Sequence, residues 1–126
     1  MSRSSDVASR RFGKGRRLRR RAEFQKVFDS GQRVRGRFLT LLVATTQGST
    51  TRLGVVASRK LGDAVRRNRA KRLIREIFRQ NPQSDSHTGV DIVVIPRVEL
   101  FGAAYASLEE DYRSVFARCI ARLRKA

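Results

Sequence analysis

Two short runs, RLGVVA at 52–57 and VDIVVI at 90–95, are apolar almost without a break. A strand with one wet face alternates polar and apolar residues, so runs like these read as strands buried on both faces. Both must be covered by a chain of 126 residues, which is enough for one domain with a real core and too short for two. Pro96 closes the second run. Between them, Ala70, Leu73, Ile74, Ile77 and Phe78 recur at helical spacing, predicting a helix over 64–80 with Asp63 as its N-cap.

The remaining periodicities complete the frame. Phe24, Val27 and Phe28 share one face of a helix over 22–30, which Gly31 stops. Residues 34–46 alternate as a strand, with Leu39, Leu41 and Val43 to one side and Phe38, Thr40 and Leu42 to the other. Leu108, Tyr112, Val115, Phe116, Cys119, Ile120 and Leu123 predict a helix over 107–124. Turns and loops fall at 47–51, 58–62 and 81–89. The order helix, strands, helix, strand, helix predicts an α+β chain. The expected architecture is a small α/β sandwich, one layer of about four strands against one layer of three helices. Residues 1–20, basic and broken by Gly13 and Gly15, are expected as a flexible arm, with 21–126 as a single domain.

Charge narrows the partner. Lysine and arginine number 29 against 11 acids, a net charge of +18. That excess points to a polyanion, nucleic acid first and an acidic membrane surface second. An apolar content of 40% argues for a folded domain rather than a basic tail. The single cysteine, Cys119, forms no internal disulfide, which fits a reducing compartment, and its helical position is that of a small buried hydrophobe. His87 is the lone histidine, so a His/Cys zinc site is excluded. No apolar run approaches the roughly 20 residues of a membrane helix, and the amino terminus lacks the apolar core of a secretory signal. Its Arg and Ser content is that of an organellar transit peptide too, but the basic character continues into the folded part. A cytoplasmic protein with no membrane partner, monomeric when free, is expected.

RRNRAKRLIREIFR, residues 66–79, concentrates the charge: seven cations and one acid, Glu76, in fourteen residues. The bland reading is a solvated helix face. Such faces mix Glu with Lys, because opposite charges at i, i+4 stabilise and like charges repel by a few tenths of a kcal/mol. Here Arg72 and Glu76 stand at i, i+4, leaving most of the repulsion uncompensated, and arginine outnumbers lysine six to one. The arginine fork binds phosphate bidentately. The helix is therefore read as a backbone-binding face, which positions nucleic acid without naming its sequence. The acids are scattered, and the only run, Glu109-Glu110-Asp111, opens a helix where it complements the dipole. Neither a metal-nuclease cluster nor a catalytic dyad is evident.

The stretch RLGVVASRKLGDAVRRNRAKRLIREIFR at 52–79 resembles the signature of the bacterial ribonuclease P protein component. That family carries a strand, a Ser-Lys-Lys-like turn, a Gly-Asn-Ala-Val element and Arg-Asn-Arg-x-x-Arg on a helix. Upstream, RLRRRAEFQKVFDSGQRVRGRFLTLLV is similar to its first helix and strands, so the likeness runs from Leu18 to Ile95. Asp63 stands where the family often has Asn, Arg59 where it has lysine, and Pro96-Arg97 where it reads Arg-Pro, so no role is carried over to Arg97.

The resemblance implies a ribosomal-protein-like fold and the protein subunit of an endonuclease that removes the 5′ leader of precursor tRNA. The RNA subunit would be the catalyst and hold most of the Mg2+; no catalytic residue, protein-bound metal or organic cofactor is expected on the protein. Its partners would be ribonuclease P RNA and precursor tRNA. Ser58, Arg59, Lys60, Arg66, Arg67, Asn68, Arg69, Lys71, Arg72 and Arg75 would contact the catalytic RNA. Phe24, Phe28 and Phe38, with Arg35 and Arg37, would meet the leader in a cleft between the first helix and the sheet. Aromatic platforms beside cations suit an unpaired strand, and Arg33 adds to the set. Phenylalanines at i, i+4 are also ordinary core residues. A structural rRNA-binding ribosomal protein remains the alternative, and a DNA-binding regulator a third reading.

Overall fold

The computed structural model describes residues 16–46, 48, 50–81 and 89–125. Its elements are α1 (Arg21–Ser30), β1 (Gln32–Arg35), β2 (Leu39–Thr45), β3 (Arg52–Val55), a 3-10 turn (Arg59–Leu61), α2 (Ala64–Gln80), β4 (Val90–Pro96), a second 3-10 turn (Val98–Gly102) and α3 (Tyr105–Lys125). The strands form one sheet in the order β1-β2-β4-β3. β1 and β4 flank β2 antiparallel, and β3 joins β4 parallel, reached through α2.

Strand alternation decides which helix covers which face. Leu39, Leu41 and Val43 of β2 join Leu53, Ile92 and Val94 in the main core, beneath α2 and α3. Leu42, Ala44 and Val93 turn the other way and meet Leu18 and Val27, under α1. The α+β class and the four-stranded sheet are as the sequence predicts, but the helices occupy both faces rather than one layer. That is why β2 and β4 have almost no wet side.

The single strand expected over 34–46 is a hairpin. Gly36 N–H donates to the Leu39 carbonyl at 2.7 Å. The Asp111 carboxylate of α3 accepts the N–H groups of Arg37 (3.1 Å) and Phe38 (2.9 Å). A Cβ at residue 36 would lie 2.7 Å from that carboxylate, so the turn needs glycine there to admit it. The end of α2 is also fixed by α3. Asn81 donates to the Ile77 carbonyl (2.6 Å) and to Glu109 (3.0 Å), and accepts from Arg113 Nε (2.6 Å).

Residues 1–15 of the expected arm lie outside the described residues. Its last part belongs to the fold: Leu18 is 5% exposed, and its N–H donates to the Leu53 carbonyl at 2.9 Å. Cys119 is buried, and desolvation pushes its thiol up to about 11, consistent with an inert packing residue.

Candidate nucleic-acid interface

Helix α2 buries Ala70, Ile74, Ile77 and Phe78, and Asp63 caps it by accepting the Arg66 N–H at 3.0 Å. What remains is cationic. Arg66, Asn68, Arg69 and Arg72 are exposed, while Arg67, Lys71 and Arg75 are half-buried. Glu76 does not turn back to Arg72 as the i, i+4 spacing predicts. It accepts from Arg79 and from Gln80 (2.9 Å), bonds that hold its carboxyl below the usual range. Among the described residues Arg69, Lys71 and Arg72 have no acid partner, nor do Arg59 and Lys60 on the turn before the helix. Ser58 stands at the N-cap position of that turn, makes no side-chain capping bond among the described residues and is exposed.

Asn68, Lys71, Arg72, Arg75, Glu76 and Arg79 line a basin of about 370 Å³ together with Arg17, which arrives from ahead of α1. Burial first, and the Arg17 charge second, lower the Arg75 pKa, so like charges face each other across the basin. An anion there relieves the repulsion. Arg17 is a lining residue that sequence patterning places in the arm. Its one local signal is the apolar Leu18 beside it, inside a run of arginines.

A second concavity, about 560 Å³, opens on the α1 face of the sheet. Arg33 and Arg35 pair across from Leu42 and Thr40, which puts them on that face. They form a cationic rim with Lys60 and Arg97, over a floor that includes Leu61, Ile95 and Val98. Arg97, to which the family likeness assigned nothing, reaches the Gly36 carbonyl at 3.2 Å and Glu99 at 3.6 Å.

The three phenylalanines do not share this cleft. Phe24 lies against Gly54, where an added Cβ would stand 2.5 Å from its ring, and Phe28 is 39% exposed on the same helix. Phe38 packs instead against the core on the α2–α3 side, with the Arg37 guanidinium 5.1 Å over its ring. Arg37 thereby leaves the leader-side set along with it. Residue 38 sits in the hairpin turn, where strand parity does not apply.

Among the described residues no group of three His, Cys, Asp or Glu side chains could hold a metal ion. Several of the acids have structural tasks: Glu23 and Asp91 bind Arg52, Asp63 caps α2, and Asp111 holds the hairpin. No described helix is long and apolar enough to cross a membrane.

Residues 12–120 match the family Ribonuclease P. The ribonuclease P protein component of Clostridium botulinum (strain Loch Maree / Type A3) is 35% identical over 113 residues, 90% of this chain and 96% of that protein. Among solved structures, the RNase P protein from Thermotoga maritima superposes with a TM-score of 0.72 at 36% identity, covering 81% of this chain and 96% of the other. The Staphylococcus aureus RNase P protein gives 0.71 at 29% identity, covering 81% and 93%. Sequence, fold and the cationic helix agree: the chain belongs to the ribonuclease P protein family.

Proposed function

We propose that this chain binds ribonuclease P RNA through α2 and the turn before it, and guides the 5′ leader of precursor tRNA along the groove on the α1 face. The observation that carries the reading is the outer face of α2, where Arg69, Lys71 and Arg72 have no acid partner among the described residues and the basin beside them gathers further cations. Uncompensated arginines destabilise a folded chain on their own, and an RNA backbone supplies the missing charge. The leader groove rests on different chemistry. Arg33, Arg35, Lys60 and Arg97 ring an apolar floor of a kind that tolerates any unpaired sequence, with Phe28 exposed on the helix bordering that face.

In this reading the RNA subunit performs phosphodiester hydrolysis, and Mg2+ held mainly by that RNA supplies the activation of water. The protein places the leader and neutralises backbone charge, so it lowers the concentration of divalent ion the reaction needs. Leader removal from precursor tRNA at low magnesium, with ribonuclease P RNA alone and with this protein added, tests it. Stimulation by the protein is expected, and equal rates with and without it would overturn the assignment.

A further inference from the structure

The Arg66 guanidinium carbon stands 4.3 Å from the centroid of the Phe101 ring. Phe101 lies in the 3-10 turn Val98–Gly102 and is half-buried, its ring packed on the main core. The ring thus has both the core and the guanidinium against it. Arg66 itself is exposed, and its side chain has no acid partner among the described residues. A guanidinium held over a ring at this distance is attracted to the π-face, and N–H donors pointing away from the ring stay open to an incoming phosphate.

The backbone makes room for this posture. Gly62 has φ +126°, in the region that favours glycine, and a Cβ there would lie 2.8 Å from Arg66 Cδ. The neighbouring Arg67 is held too, donating from Nη1 to the Gly62 carbonyl at 3.0 Å. Arg69 and Arg72, further along α2, have no such ring against them among the described residues.

We propose that Phe101 is a positioning residue: its ring presets Arg66 as a rigid fork for an RNA phosphate at the start of α2. The inference rests on the reading that α2 faces RNA, and adds to it a residue outside the basic helix. An arginine already stacked loses less rotamer freedom when a phosphate arrives than one waving in water. Because the ring does not touch the phosphate, it changes the cost of engaging that phosphate and not how many phosphates are neutralised.

That distinction is measurable with the full chain and a ribonuclease P RNA transcript. Arg66→Gln should lower the slope of log K against log salt by about 0.7–0.9, the equivalent of one neutralised phosphate. Phe101→Leu, which keeps apolar packing, should leave the slope unchanged and weaken binding about two- to tenfold, the cost of immobilising one long side chain. Phe101→Tyr, which keeps the ring face, should restore wild-type affinity. In the Arg66→Gln background, Phe101→Leu should have no further effect.

An equal loss from Phe101→Leu in both backgrounds would make Phe101 a core residue only and overturn the proposal. So would an unchanged slope for Arg66→Gln while Arg69→Gln still lowers it, with α2 remaining an RNA face. If neither variant alters the slope, the reading of α2 itself fails. Thermal melts of each variant without RNA separate lost folding from lost binding.

Discussion

The Arg52 guanidinium grips the Asp91 carboxylate with two parallel hydrogen bonds, Nε to Oδ1 and Nη2 to Oδ2, each 2.9 Å. The pair links neighbouring strands, β3 and β4, at the same register position. Nη1, the remaining nitrogen, donates to Glu23 Oε2 at 3.0 Å, and Glu23 belongs to α1. The other Glu23 oxygen accepts the N–H groups of Arg19 (2.7 Å) and Arg20 (3.0 Å). One arginine therefore fastens the first helix, its capping carboxylate and two strands, and so sets where Phe24 and Phe28 stand over the sheet.

Asp91 is 2% exposed, so Arg52→Ala would leave a buried carboxylate without its cation. A loss of about 3–5 kcal/mol in folding stability is expected, as for other broken buried pairs. Arg52→Lys should lose less, keeping charge without the fork. Urea denaturation checks this, and a loss under about 1 kcal/mol for the alanine variant would show that the pair does not hold the fold.

Glu23 is held below its ordinary value of 4.5, chiefly by the Arg19 and Arg20 N–H groups and then by Arg52. A carboxylate depressed on folding stabilises above its unfolded pKa, and that contribution disappears as pH falls through the folded value. Wild-type stability should therefore decline below about pH 4.5, while Glu23→Gln starts lower and declines less steeply over the same window. Parallel pH profiles for the two proteins would contradict the linkage.

Charge removal on α2 should read out as ionic strength dependence. Arg69→Gln or Arg72→Gln is expected to lower the salt slope of RNA binding by about 0.7–0.9 for each phosphate left without its arginine. Folding stability should stay within about 0.5 kcal/mol, because both side chains are exposed and lack acid partners among the described residues. Filter binding between low and moderate salt measures the slope, and an unchanged value would count against phosphate binding at that residue.

The two phenylalanines of α1 should separate. Phe28→Ala, at an exposed position, is expected to weaken precursor tRNA binding more than mature tRNA binding with little loss of stability. Phe24→Ala should also destabilise, by about 2–3 kcal/mol, because its ring lies against Gly54 and packs on the small core under α1. Equal affinity losses for precursor and mature tRNA with Phe28→Ala would remove the leader role.

Local pattern alone determined much of this protein. The apolar stripe of α2, its Asp63 cap and its excess of arginine all follow from residues within a few turns of one another. The same holds for the split of β2 into Leu39–Leu41–Val43 and the opposite parity, since side-chain direction repeats every two residues. What the sequence could not supply was which elements meet. Whether helices cover one face or both depends on chain path, and so does the arrival of Arg17 beside Arg75. Phe38 packs on the α2–α3 side, in a turn whose N–H groups bind a carboxylate 73 positions away, on α3. Glu76 chose Arg79 over Arg72, and Arg52 gathered Glu23 and Asp91, through rotamers and register that spacing does not encode. Periodicity is a property of neighbours along the chain, whereas a cationic basin and a half-buried ion pair are properties of neighbours in space. Only tertiary packing decides the latter.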